Sequence, residues 1–243
     1  MPRVEAVGAC IAGEAVGRTG YSYCVTKLAF DYDEAVRHLC AKDKKLAKYI
    51  ARVGPCTLRP RKLQTPFAAL CESIVYQQLT GKAAATIFAR VLALFPGKRF
   101  PRPEEILATT DERLRSAGLS RAKAAALKDL SQKTLDGTVP TLRALGAMTD
   151  DEIVERLTEV RGIGRWTVEM MLMFRLGRPD VLPAGDYGVR KGYARVYGGD
   201  LPAPRDLLES GERWRPYRSV ASWYLWRVLE LDAPERKSGG RSG

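Results

Sequence analysis

The chain has 243 residues, 45% of them hydrophobic, and carries 40 Lys and Arg against 28 Asp and Glu, a formal charge of +12. That length suits one large domain or two small lobes around a substantial core. No apolar run reaches the roughly 18 residues that a membrane-spanning helix needs, and "VGACIAGEAVG" near the start is broken by Glu14, with Glu5 and only Arg3 before it, a poor secretory leader. The five cysteines, Cys10, Cys24, Cys40, Cys56 and Cys71, are odd in number and contain no C-x-x-C. They read as reduced, mostly buried thiols of an intracellular protein, cytoplasmic or at the nucleoid. The basic excess points to an anionic partner, with nucleic acid first.

Strand-like alternation occurs only in "GYSYCVTKLAF", residues 20–30. Residues 1–30 are therefore expected to be an N-terminal extension holding at most a small strand element. The stretch Asp31–Val53 reads as a helix anchored by Leu39, Leu46 and Ile50 and ended by Gly54-Pro55. It carries the single histidine, His38, as a surface or half-buried residue. Thr65-Pro66 starts a helix, with threonine as N-cap and proline at the first position. Phe67, Leu70, Cys71, Ile74 and Val75 mark its buried face, and it should end near "YQQLTG". Thr80 caps the next helix, whose apolar positions are Ile87, Phe88, Val91, Leu92 and Phe95. "TTDERLRSAG" reads as a short helix closed by Gly118, and Ser120 caps an Ala-rich helix ended by Gly137. Thr149 and Glu152 form a capping box ahead of Ile153, Leu157 and Val160. Residues 166–176 are apolar almost all round, as in a central buried helix joining two lobes, with a ligand groove expected between the lobes. Helices are expected over about 186–197, and over 204–230 with a break near Pro216. The tail, 233–243, reads as disordered. The predicted fold is all-α: a two-lobed helical domain over 31–232, with a helix-hairpin-helix at about 150–177.

The segment "LTEVRGIGRWTVEM" has the form of that hairpin. Gly162 and Gly164 allow a tight turn and close backbone approach. A helix starting at the turn aims unsatisfied N–H groups and its dipole at an anion. A phosphate of the DNA backbone fits, held without sequence readout; an αα-hairpin with glycines for packing alone fits the element as well. Arg161, Gly162, Ile163, Gly164, Arg165 and Thr167 are the candidate phosphate contacts, with Lys82 as a further backbone contact. Arg190, Lys191, Arg213, Arg215 and Arg218 add basic charge.

Together with "PFAALCESIVYQQLTGKAAATI" and "DVLPAGDYGVRKGY", the hairpin resembles the HhH-GPD superfamily of DNA base-excision glycosylases, and within it the AlkA group, 3-methyladenine DNA glycosylase II. The resemblance runs from about Asp33 to Glu230. It implies a catalytic carboxylate at Asp186, which stabilises positive charge at the sugar C1′ and orients or deprotonates water; an N-cap role suits Asp186 too. It implies a wedge at Leu79, with Gln78 at the orphaned base. It implies a base pocket drawn from Trp166, Tyr187, Trp226, Trp223, Tyr76 and Met170; a tyrosine is expected where Met170 stands. Bifunctional relatives carry a Schiff-base lysine where this chain has Trp166, so a monofunctional enzyme without lyase activity is expected. No cysteine follows Cys71, so no iron–sulfur cluster is expected. The resemblance also implies a monovalent cation, Na or K, on the hairpin backbone of Arg161 and Ile163. The expected partner is double-stranded DNA with damaged bases, and the expected state a monomer. Two other readings stay open: a glycosylase for oxidised or deaminated bases, and a non-catalytic DNA-binding module.

Overall fold

The computed structural model describes residues 30–61, 65–97 and 100–231. The strand element expected over 20–30 and the tail expected over 233–243 fall outside them, apart from Phe30. Among the described residues every regular element is helical, as expected, and no helix is long and apolar enough to cross a membrane. The chain divides into two compact units: one is built on Arg59–Gly177, the other on Leu28–Leu58 together with Arg178–Gly243.

Eight α-helices lie among the described residues of the first unit, preceded in the chain by α1 (Tyr32–Lys42) and α2 (Lys44–Val53) of the second. They are α3 (Pro66–Tyr76), α4 (Gly81–Ala93), α5 (Pro103–Ala108), α6 (Asp111–Ser116), α7 (Arg121–Leu135), α8 (Leu142–Ala147), α9 (Asp150–Thr158) and α10 (Arg165–Met171), the last running on as a π-helix over Leu172–Leu176. Side-chain caps start most of them: the hydroxyls of Thr65, Thr80, Thr110, Ser120, Thr141 and Thr149 each accept from the N3 amide, satisfying a donor that the helix itself leaves open. The buried face of α3 is the one expected. On α4 only Ala84 and Val91 are buried, and Ile87, Phe88, Leu92 and Phe95 are half-buried, because that helix lies at the edge of its unit's core. Helices α5 and α8 were not foreseen; at six residues each they are too short for an apolar stripe to stand out. Gly177, in the left-handed conformation, ends the π-helix.

The second unit holds α1 (Tyr32–Lys42) and α2 (Lys44–Val53) from the start of the described chain. From its end it holds α11 (Tyr187–Tyr197), α12 (Pro204–Gly211), a 3-10 turn Glu212–Trp214, and α13 (Arg218–Val228). The single helix expected over 31–53 is in fact two. Asp43 adopts extended angles (φ −139°, ψ 97°) and becomes the N-cap of α2. Its carboxylate is the reason. Only 4% exposed, it accepts from the Leu46 N–H at 3.0 Å and from Trp214 Nε1 at 2.9 Å, and it takes the Tyr197 hydroxyl proton donor as well. Arg213 lies 3.9 Å away. Burial pushes the Asp43 carboxyl up, but the Leu46 amide, Tyr197, Trp214 and Arg213 outweigh it and hold it below its ordinary value. Burial, and after it the bond to the Asp43 carboxylate and that group's charge, push the Tyr197 phenol well up. One carboxylate thus ties α2, α11 and the 3-10 turn together.

Because its folded pKa is depressed, Asp43 contributes stability above the unfolded carboxyl pKa of about 3.9, and that contribution is lost as pH falls through the lower folded value. Asp43→Asn is expected to cost roughly 1–3 kcal/mol at pH 7, measured by urea unfolding. The difference from the native chain should shrink toward pH 3; a pH-independent gap would contradict the charged role.

Candidate DNA-glycosylase site

In the first unit the hairpin between α9 and α10 is held from below by α7. The Asp129 carboxylate accepts the Arg161 N–H at 2.7 Å, the Ile163 N–H donates to the Val160 carbonyl at 3.0 Å, and the Gly162 carbonyl accepts from Gln77 Nε2 at 2.9 Å. The Arg161 and Ile163 amides are thereby committed inside the protein, which narrows the expected set of phosphate-facing donors. Gly162 needs its glycine, with φ +79° and Ala126 beneath it. Gly164 does not need one for its conformation: it is extended (φ −100°, ψ 168°), it is the N-cap of α10, and a Cβ there would meet nothing within 4 Å among the described residues. Its value is the open approach to the start of α10 rather than the turn. Arg165 is exposed and 3.8 Å from the buried Glu169. Thr167 is buried beside Gln77 Nε2, at 3.5 Å, which turns it inward from the surface. Among the described residues no backbone N–H outside the helices donates to the Arg161 or Ile163 carbonyl, the two oxygens expected to hold a monovalent cation.

The turn after α3 carries the expected wedge. Gln78 is the one non-glycine residue described with a positive φ, +57°, a strained conformation. It is exposed and Leu79 is half-exposed. Lys82 is exposed on the first turn of α4. Trp166 is half-buried on α10, Met170 is buried (9% exposed), and Tyr76 is half-buried with its ring edge-on to Phe88.

In the second unit, "AGDYGVRKG" folds as an extended residue followed by α11. Asp186 is the N-cap, and its Oδ1 accepts from the Val189 N–H at 2.8 Å and from Trp226 Nε1 at 2.8 Å. Trp226, expected only as a pocket aromatic, is therefore also a donor to the carboxylate. Its approach depends on Gly188. A Cβ there would lie 2.8 Å from Trp226 Cδ1, 3.0 Å from its Nε1 and 3.1 Å from Asp186 Oδ1. One turn on, a Cβ at Gly192 would lie 2.0 Å from the Leu225 carbonyl oxygen, so α11 and α13 meet backbone to backbone. Tyr187 is 54% exposed beside Asp186. Trp223 is buried, its ring edge-on to Tyr224 and covered by the Arg227 guanidinium at 5.3 Å, so it is a core residue rather than a pocket wall.

Much of the basic charge is internally engaged. Arg218 grips Asp180 through Nε–Oδ1 at 2.7 Å and Nη2–Oδ2 at 3.1 Å, and Arg215 pairs with Asp180 and Glu212. Arg190 Nε donates to the Pro202 carbonyl at 2.8 Å, while Lys191 is exposed. These ties make Arg190, Arg215 and Arg218 structural. Sequence reasoning missed Gln77, Lys123 and Asp129, whose role appears only when the turns they hold are seen together.

Described residues whose regular elements are all helical, a glycine hairpin, and a carboxylate that caps a helix directly after Gly185 make the frame of a base-excision repair protein, and the comparisons agree. Residues 71–216 match the HhH-GPD superfamily base excision DNA repair protein family, and the chain belongs to that superfamily. It is similar to DNA-3-methyladenine glycosylase 1 of Schizosaccharomyces pombe, 37% identical over 80% of this chain and 86% of that protein. The solved structure of the S. pombe enzyme in complex with abasic DNA aligns with TM-score 0.71 at 36% identity, over 82% of this chain and 98% of that one. A DNA-3-methyladenine glycosidase from Bacillus halodurans aligns with TM-score 0.72 at 34% identity, over 86% and 92%.

Gly192→Ala should destabilise the protein by about 3 kcal/mol or more, since overpacking against backbone has nowhere to relax; thermal unfolding measures it. Gly188→Ala should instead fold and shift the Trp226 indole N–H signal in NMR, as should Asp186→Ala. An unmoved indole signal would contradict the steric account.

Proposed function

We propose that the protein is a monofunctional DNA glycosylase that hydrolyses the N-glycosidic bond of alkylated purines in duplex DNA, such as 3-methyladenine, 7-methylguanine and ethenoadenine. The observation that carries this reading is Asp186, held rigidly at the start of α11 by Val189 and Trp226 in a chain whose relatives bear the 3-methyladenine glycosylase name. A fixed anion costs no reorganisation as charge develops at C1′. For 3-methyladenine and 7-methylguanine the C1′–N bond breaks with its electron pair leaving on a base that the methyl group has already made cationic, so a separate acid is dispensable; neutral ethenoadenine takes up a proton from solvent as it leaves. Water adds to C1′, and Asp186 orients it or accepts its proton.

The target base leaves the stack at a cost of roughly a few kcal/mol, offset by Leu79 and Gln78 filling the gap and by aromatic faces that receive the base. Tyr187, exposed beside Asp186, and half-buried Trp166 are the better supported faces; Trp226 serves mainly through its N–H. The hairpin receives a phosphate at the start of α10, where Gly164 and Arg165 open the approach. A monovalent cation held by the Arg161 and Ile163 carbonyls would add positive charge there. The enzyme works as a monomer and without an iron–sulfur cluster, since the chain has no cysteine after Cys71.

Asp186→Asn is expected to slow release of 7-methylguanine from duplex DNA by about 100-fold or more, read by chromatography of the freed base. The native chain should leave an abasic site and an intact strand until alkali is added, because Trp166 forms no imine. Full release by the variant, or cleavage without alkali, would overturn the mechanism.

A further inference from the structure

The turn after α3 and the hairpin after α9 are far apart in sequence, yet one side of α7 holds both. Lys123, Ala126 and Asp129 are spaced by three along that helix. Lys123 Nζ donates to the Val75 carbonyl at 2.7 Å and the Gln77 carbonyl at 2.8 Å, closing acceptors that the end of α3 leaves open. Ala126 lies under Gly162, 3.5 Å from where a Cβ would sit. Asp129 fixes the Arg161 amide. Gln77 then joins the two turns directly, through the Gly162 carbonyl and Thr167. Gln78 follows directly on these anchors in its strained positive-φ conformation, and strain of that kind persists only where the surroundings hold it.

We propose that Lys123 is a positioning residue for DNA distortion: its ammonium, bound to two carbonyls, holds the Gln78–Leu79 turn in register with the hairpin, and it does not contact phosphate. The burial of the ammonium, which lowers its pKa, agrees. This rests on the reading that the turn enters DNA. It concerns the wedge and not the chemistry, so it stands or falls apart from Asp186.

The probe is a duplex with a tetrahydrofuran abasic site opposite 2-aminopurine, whose fluorescence rises when the orphaned base is unstacked; no base release is needed. Lys123→Met in the full chain is expected to lose roughly threefold to tenfold of that rise, the scale of one net hydrogen bond. Its salt dependence of binding to undamaged duplex should match the native slope. Lys123→Arg, which keeps long donors, should restore most of the rise. A rise that survives in Lys123→Met, or a slope shallower by about 0.9, the mark of a lost phosphate contact, overturns the proposal. Should Lys123→Met not fold, Gln77→Ala decides: it cuts the other tie and is expected to lose a similar share of the rise, and a full rise overturns the proposal.

Discussion

The chemistry of the second unit depends on one contact, the approach of α11 to α13 at Gly192. With a side chain excluded by the Leu225 carbonyl, the two helices close to backbone distance. That closeness brings Trp226, the next residue on α13, over Gly188, one turn back on α11. The indole N–H then reaches Asp186, which sits at the head of the same helix. Two glycines four apart thus set the position of a carboxylate that is neither of them. The Val189 amide and the helix dipole supply the rest of its hold, and both favour a carboxylate at that place.

The first unit solves a different problem by a similar economy. Its turns after α3 and α9 gain their shape from half-buried side chains: Gln77, Lys123 and Asp129 each spend a polar group on backbone. The net charge of +12 is in this respect a coarse guide. Arg215 and Arg218 neutralise Asp180 and Glu212, Lys123 serves two carbonyls, and Arg190 serves a third. Arg165, Lys82 and Lys191 are among the cations that stand exposed. Removing one of the engaged cations would disturb architecture before it changed the field felt by DNA.

The helices were legible because their starts are written locally. A threonine or serine before a helix-forming run, Pro66 at a first position, and Gly118, Gly137 and Gly177 at ends each act within a few residues. The candidate site residues Asp186, Trp166, Leu79 and Gln78 come from motifs. What stayed hidden was long-range. The break at Asp43 is made by partners more than 150 residues away, Tyr197 and Trp214, so α1 and α2 read as one helix. The membership of α1 and α2 in the unit formed by the end of the chain has no local sign. The indole of Trp226 reads as an aromatic face in the sequence, whereas its N–H matters in the structure, and only the room left by Gly188 reveals that. Gly164 was read for both a tight turn and close backbone approach; its extended angles suit any side chain and leave only the second.

At the centre of the account is a fixed carboxylate that stabilises positive charge at the sugar. Its most direct test is the affinity of the protein for duplex DNA carrying a cationic pyrrolidine abasic analogue, compared with the neutral tetrahydrofuran analogue, in native and Asp186→Asn proteins. The account predicts that the native protein favours the cation by about 100-fold, roughly 2.8 kcal/mol, and that the variant loses most of this preference. Equal affinity for the two analogues, or a preference unchanged in Asp186→Asn, would contradict it.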